Sequence, residues 1–306
     1  MNILRLENVI KTYEKHVAVN HVSFKMPRGC VFGLLGPNGA GKTSLIRIIT
    51  TITRADSGTV YLDGEPLNSK HPAQIGYMPE ERGLYRKMKV GEQLLYLAQL
   101  KGLSKKHSHD LIMEWFEKFG IVDWWPKKVE ELSKGMQQKI QFISTVIHQP
   151  KLLILDEPFS GLDPINANLI KDEIDELNKK GTSIIFSTHR MEQVEEICEH
   201  IVLINQGKNV LQGSVKDVKN HFKENLFQFK YQGVLPAGFQ EKAQIIEEKN
   251  QQVTLQLKEN EDSNDFLRYL IQNKVHITSF NEILPTLNEI FIKQVGNGEE
   301  LNLVNG

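Results

Sequence analysis

Gly36-Pro37-Asn38-Gly39-Ala40-Gly41-Lys42-Thr43 decides the fold. The octet satisfies G-x-x-x-x-G-K-[ST] and follows Cys30-Val31-Phe32-Gly33-Leu34-Leu35, an apolar run of the kind that forms a parallel strand buried on both faces. Ser44 to Thr50, with Leu45, Ile46, Ile48 and Ile49, reads as the helix that follows. Strand, glycine-rich turn and helix in that order make a phosphate cradle. Glycines let backbone N–H groups wrap a β-phosphate, the helix N-terminus adds about half a positive charge, and Lys42 reaches the β- and γ-phosphates. Thr43 offers a hydroxyl to Mg²⁺. A chance glycine-rich turn would not carry the lysine and threonine in register behind a buried strand.

Downstream, Leu152-Leu153-Ile154-Leu155-Asp156-Glu157-Pro158 is an apolar strand ending in two carboxylates, where α/β sheets place ligand chemistry. Asp156 suits a Mg²⁺ partner, directly or through water. Glu157 is placed to orient and deprotonate an attacking water. Alone, an Asp-Glu pair would read as a turn cap; the phosphate loop upstream reverses that. His189 closes the next apolar strand, Ser183 to Thr188, and is expected to point at the same γ-phosphate, sensing ATP against ADP. Tyr13, in the β-rich start, suits stacking on adenine, although taken alone it reads equally well as a core or surface tyrosine.

The pattern around these motifs gives the organisation. Ile3, Leu6, Val9, Val17, Val19, Val22 and Phe24 lie in β-favouring sequence, closed by a turn at Pro27-Arg28-Gly29. From Val90 to about Gln149 the spacing is helical, through Leu94, Leu95, Leu97, Ala98, Leu111, Ile112, Trp115, Phe116 and Phe119. Such a block between β-rich segments predicts a helical subdomain, about 86–150, inserted into an α/β core. A helix carrying Leu169, Ile170, Ile174 and Leu177, stopped by Gly181, joins the two later strands as a parallel βαβ unit. Beyond Gly213 the character changes. Val253 to Leu257 alternates as a half-buried strand, Phe266 to Ile271 reads as a helix capped by Asp262 or Ser263, Val275 to Phe280 as a strand, and Thr286 to Val295 as a closing helix. The expected division is a nucleotide-binding domain over 1–215 and a small α+β domain over 222–298, with a frayed end after Gly296.

Composition narrows the class. With 306 residues, 40% of them hydrophobic and 25% charged, the chain has the balance of a soluble globular protein. A net charge of −1 carries no basic surplus, so no nucleic-acid partner is expected. The apolar runs are strand-sized, far short of the roughly 20 residues of a membrane-spanning helix. Met1-Asn2-Ile3-Leu4-Arg5 lacks the blocks of a signal peptide. Cys30 and Cys198 have no metal-ligand spacing and are expected to be reduced thiols in the cytosol. Work at a membrane would go through a partner.

The motifs, their order and spacing resemble the ATP-binding subunit of an ABC transporter across about residues 1–215. The resemblance rests on Tyr13, the loop from Gly36 to Thr43, the segment Leu132-Ser133-Lys134-Gly135-Met136-Gln137-Gln138-Lys139, the acidic strand to Pro158, Ser160-Gly161-Leu162-Asp163, and His189. It implies a P-loop NTPase α/β fold with ATP and Mg²⁺ as cofactors. Nucleotide contacts are then carried by Tyr13, Gly36, Pro37, Asn38, Gly39, Ala40, Gly41, Lys42, Thr43 and Ser44, metal contacts by Thr43, Glu80 and Asp156, and catalysis by Glu157, His189 and Lys42. It also implies a head-to-tail pair, with a second copy or a homologous ATPase subunit, in which Ser133 and Gly135 of one chain face the phosphates bound by the other. Asp163 would lie at the seam. Three departures stand out: Lys134 where a second glycine is common, Met136 where glutamine is common, and Glu80, in Ile75-Gly76-Tyr77-Met78-Pro79-Glu80-Glu81-Arg82, where the family carries a glutamine that touches Mg²⁺. That segment and the C-terminal domain, ending Leu284-Pro285-Thr286-Leu287-Asn288-Glu289-Ile290-Phe291, are similar to the exporter branch with ABC-2-type membrane subunits, including sodium-exporter-like ATPases. There the permease is a separate integral membrane chain, and the ATPase is cytoplasmic and peripheral on the inner face of the membrane. The competing readings are a soluble ABC ATPase acting on ribosomes or DNA and an interaction protein with a decayed site. The first would need a second motif set or a long coiled coil between Lys42 and Asp156. The second conflicts with the presence of Lys42, Asp156, Glu157 and His189.

Overall fold

Five consecutive buried residues, Val31–Leu35, form the strand on which the larger half of the molecule is assembled. The computed structural model describes residues 1–297 apart from Arg82, Ala237 and Glu259. The expected fraying falls, from residue 298 onward, outside the described residues. The chain divides into two compact units, 1–215 and 216–297.

In the first unit the strands are β1 (Asn2–Tyr13), β2 (His16–Pro27), β3 (Val31–Leu35), β4 (Ser57–Leu62), β5 (Glu65–Pro66), β6 (Ile75–Met78), β7 (Leu152–Asp156), β8 (Ser183–Thr188), β9 (His200–Asn205) and β10 (Lys208–Ser214). The helices are α1 (Lys42–Ile49), α2 (Val90–Leu100), α3 (Lys105–Phe119), α4 (Lys134–Val146), α5 (Pro164–Lys179) and α6 (Met191–Ile197), followed by α7 (Val215–His221) at the boundary between units. Among the described residues, the strands form an antiparallel sheet of order β2-β1-β4-β5 and a six-stranded sheet of order β10-β9-β3-β8-β7-β6. The second is parallel from β9 to β6, with β10 returning antiparallel on its edge. The two sheets and the apolar face of α1 (Leu45, Ile46, Ile49) share one core, in which Phe24 of one sheet stacks on Phe32 of the other at 5.4 Å. Each such large side chain removed from water is worth about 1.5–3 kcal/mol, so α1 is held by packing far more than by its eight-residue length.

The helices from Val90 to Val146 pack on one another. Ile112, Phe116, Phe119 and Phe142 are buried there, with Trp125 edge-on to Phe116 at 5.8 Å. Ser104 Oγ caps α3 by accepting from His107 N, and Gly120, at φ 64°, closes it in the left-handed region. The first amides of α2 donate to the 125–127 segment, Gly91 N to Trp125 O at 3.1 Å and Val90 N to Lys127 O at 2.9 Å. This contact has no room for a side chain. A Cβ on Gly91 would stand 2.3 Å from the Trp125 ring.

His148 follows α4 and its Nε2–H donates to Ile75 O at 3.2 Å. Burial, and next the Lys101 charge, push its pKa down to about 4. The folded protein therefore keeps this ring neutral while the unfolded chain takes up a proton near 6.5.

The second unit is an antiparallel sheet of order β12-β13-β11-β14, built from β11 (Leu226–Gln232), β12 (Ala243–Lys249), β13 (Gln252–Leu257) and β14 (His276–Ile283). It comes with α8 (Phe239–Lys242), α9 (Ser263–Gln272) and α10 (Leu287–Asn297). Alternation puts Phe227, Phe229, Tyr231, Val253, Leu255 and Leu257 on the face covered by Phe266 and Leu270 of α9. Asp262 caps α9, its Oδ1 accepting from Asn264 N at 2.8 Å.

Two stability measurements test this packing. Gly91→Ala should lower the urea-unfolding free energy by about 1–3 kcal/mol, because the Trp125 ring must be displaced; an unchanged midpoint would contradict the close approach. His148→Gln should flatten the loss of stability between pH 7 and pH 4.5. In the parent chain this ring contributes roughly 2–3 kcal/mol of that loss, which appears as pH falls from the unfolded toward the folded pKa.

Candidate active site

Register in the parallel sheet brings the candidate groups to one ridge. Leu35 pairs with Thr188, and Asp156 with Ser187, so the strand ends before the glycine loop, at the acidic pair and before His189 lie side by side. Glycine is obligatory at two places in the loop. Gly36 has φ 146° and a Cβ there would fall 2.1 Å from Ile204 O; Gly41 has φ 108° and its Cβ would fall 2.2 Å from Ala18 O. Gly207 N donates to Ala40 O at 2.8 Å, so the turn between β9 and β10 supports the loop from behind. Lys42, Thr43 and Ser44 form the first turn of α1. The Lys42 ammonium donates to Gly36 O at 2.6 Å and Pro37 O at 3.0 Å, curling over its own loop. Burial lowers its pKa, while Asp156, Glu157 and Glu80 act in the opposite sense.

Asp156 is buried and accepts from Ser187 Oγ at 2.7 Å. Burial raises its pKa, the Ser187 hydrogen bond holds it down, and the Glu157 and Glu80 charges push it up again. Glu157 has φ 49°, an uncommon conformation for a residue with a side chain, and its N–H donates to Ser187 O at 2.9 Å. That turn sends the carboxylate back over the end of β8. There it accepts from Thr188 Oγ1 at 3.1 Å and from His189 N at 2.9 Å, and meets His189 Nδ1 at 2.7 Å. A carboxylate so anchored, with an exposed imidazole against one oxygen, suits a base that orients water. The expected direction of His189 is thus refined: here its ring engages Glu157. Glu80, exposed just beyond β6, acts on Lys42 and Asp156 by charge. The nearby Tyr77 phenol is pushed up to about 12, first by burial and then by the Asp156 charge.

The remaining candidates lie apart from this cluster, with no hydrogen bond or charge contact to it among the described residues. Tyr13 ends β1, 40% exposed, with the Lys11 ammonium 5.5 Å from its ring centroid. Ser133 caps α4, its Oγ accepting from Met136 N at 3.2 Å. A Cβ on Gly135 would touch only Leu162, at 3.6 Å. Asp163 caps α5, accepting from Asn166 N at 3.0 Å, and these bonds keep its carboxyl below the usual range.

Four supporting residues escaped the sequence reading. Ser187 and Thr188 were visible only as the polar end of an apolar strand. Gln138 and Gln141, one helical turn apart on α4, donate to Pro158 O at 3.0 Å and Pro79 O at 2.8 Å. A buried glutamine on an otherwise apolar helix face was their one signal.

Known proteins place this geometry. Residues 19–160 match the family model "ABC transporter", and residues 213–295 match "ATP-binding protein DrrA1-3-like, C-terminal domain". The chain is 44% identical over 304 residues to the uncharacterized ABC transporter ATP-binding protein YhaQ of Bacillus subtilis (strain 168), covering 96% of this chain and 99% of that protein. It is 35% identical to Nod factor export ATP-binding protein I of Cupriavidus metallidurans, over 69% of this chain and 71% of that one. A solved structure of an ATP-binding subunit of an ABC transporter superposes with a TM-score of 0.68 at 28% identity, covering 72% of this chain and 93% of its own. The chain belongs to the ABC transporter ATP-binding family, as an ATPase subunit with a DrrA1-3-like C-terminal domain.

Proposed function

We propose that the chain binds MgATP in a head-to-tail pair, with a second copy of itself or a homologous subunit, and that the pair drives a separate membrane permease in an exporter. The observation that carries the catalytic part is the anchoring of Glu157 by Thr188, His189 and the Ser187 carbonyl beside Asp156 and Lys42. Glu157 takes the proton of the attacking water, and His189, on the same carboxylate, orients it. Lys42 leaves its own loop carbonyls for the β- and γ-phosphates, and the 36–44 backbone holds the phosphates by N–H donors. Tyr13 stacks on the base.

Asp156, Thr43 and Glu80 supply hard oxygen donors, the chemistry Mg²⁺ takes, with phosphate oxygens and water left to complete the shell. When bound, the ion neutralises phosphate charge. Ser133 and Gly135 stand open at the start of α4, so the helix can offer its donors to phosphates held by another chain, with Asp163 at the seam.

The transporter part rests on family membership. Among the described residues no helix is long and apolar enough to cross a membrane. On the family reading, the permease is a separate chain and this subunit works on the cytoplasmic face. It docks beside Glu80 and the 86–150 helical block. The export direction draws on the relative named for Nod factor export.

Glu157→Gln should bind ATP and hydrolyse it at least ~100-fold more slowly, from the worth of a general base. Solution scattering of that variant saturated with MgATP should report a dimer. Near-parent turnover would remove Glu157 from the role, and a monomer would remove the shared site. Glu80→Gln should weaken the apparent Mg²⁺ affinity in ATPase titrations by roughly 3–10-fold, through loss of one charge; an unchanged titration would take Glu80 out of the metal site.

A further inference from the structure

Asn38 and Gly39 form the outer bend of the phosphate loop, and both are exposed. Ala40 N closes the bend by donating to Pro37 O at 3.2 Å, so among the described residues the Gly39 amide inside it has no acceptor. Gly39 has φ 78°, and a Cβ built on it would meet nothing within 4 Å, so its nitrogen is uncrowded. The Asn38 side chain likewise makes no hydrogen bond among the described residues. Other asparagines are tied down. Asn68 accepts from Lys70 N at 2.9 Å and donates to Pro66 O at 3.3 Å. Asn178 donates to Thr182 O at 3.1 Å, and Asn273 to Tyr269 O at 2.8 Å. A carboxamide free to turn onto an unhindered main-chain nitrogen is the arrangement that ring closure needs. The surroundings favour that reaction. The Lys42 ammonium lies 3.0 Å from Pro37 O, and α1 begins at Lys42. A cradle that steadies phosphate also steadies the amide anion and the tetrahedral oxyanion through which closure passes.

We propose that Asn38 is a self-modification site, converted to aspartate and isoaspartate while the loop is empty and protected while it holds nucleotide. The Gly39 nitrogen bonds to Asn38 Cγ, the Cγ–Nδ2 bond breaks, and Nδ2 leaves as ammonia with the proton that the Gly39 amide gives up. The succinimide so formed adds water at either carbonyl. One opening gives aspartate. The other gives isoaspartate, whose main chain runs through Cβ and Cγ and is one carbon longer. Water is the only other reactant. Either product sets a carboxylate in the loop that must hold phosphates, and isoaspartate also displaces the amides that follow. The proposal rests on the reading of the 36–44 loop as the ATP cradle, and adds how that cradle is lost and what preserves it. Phosphates that accept from the loop amides engage the Gly39 N–H, so the attacking nitrogen is available only in the empty loop.

Incubating the purified full chain in mildly alkaline buffer, with and without MgADP, tests this directly, since the diphosphate is not consumed. Peptide mapping by mass spectrometry, with isoaspartyl methyltransferase labelling, reads each asparagine separately, including those of Asn297-Gly298 and Asn305-Gly306. Without nucleotide, Asn38 should convert well ahead of Asn68, Asn178 and Asn273. At about ten times its Kd, MgADP leaves roughly a tenth of the loops empty, so conversion should slow about tenfold. Converted protein should bind MgADP at least ~10-fold more weakly, because like charges then meet in a partly dry site. Asn38→Gln, whose amide would have to close a larger ring, should hold its own starting affinity through the same incubation. Three results would overturn the proposal: an intact Asn38 after an incubation that converts Asn297 or Asn305, equal conversion with and without saturating MgADP, or a loss of affinity by Asn38→Gln at the parent rate. A fresh chain with no affinity for MgADP would instead defeat the ATP reading itself. That failure is told apart because it precedes any incubation, while the nucleotide-free sample still reports on Asn38.

Discussion

Parallel pairing of three buried strands, β3, β8 and β7, is the constraint from which the candidate active site follows. These strands carry almost no polar side chains until their last residues, so water is excluded along their length and the backbone ladder fixes their ends to within one residue. A slip by one position would turn Ser187 away from Asp156 and move Thr188 off Glu157. The hydroxyls close a ladder whose register is set by Leu, Ile and Phe side chains deep in the sheet.

The electrostatics follow from that placement. Lys42 faces three carboxylates, two of them at the end of one strand, in a setting dry enough to raise the pKa of Asp156 and lower that of Lys42. Ser187 offsets part of the cost on Asp156, and the backbone of His189 donates to Glu157. The lysine donates to the carbonyls of its own loop.

Much of this was legible in the residues. The glycine loop, the acidic strand and the histidine each sit at the end of an apolar run, and short-range pattern is what a sequence displays best. The helices at Leu45, Phe116 and Ile174 could be read from spacing, and the strand at Val253 from alternation. The sequence reading named no strand for β4, β6, β9 or β10. Of these, β9 carries the apolar run Ile201 to Ile204 and was as legible as β7. The segments β4, β6 and β10 mix glycine with polar and apolar residues; β4 and β6 become strands by pairing with partners far along the chain and β10 by turning back on β9. The left-handed turn at Glu157 was equally hidden. A glutamate there has no local reason for φ 49°; the Ser187 carbonyl and the three donors on its side chain impose it. Likewise, only the three-dimensional structure turns the ring of His189 onto Glu157.

The paired glutamines of α4 tie two turns of the candidate site to one helix. Gln138 holds the turn after β7 and Gln141 the turn after β6, each by a side-chain amide on a proline carbonyl. The helix that begins at Ser133 is thereby a crossbar. Through that one element, the turn after the acidic strand and the turn before Glu80 share a common support.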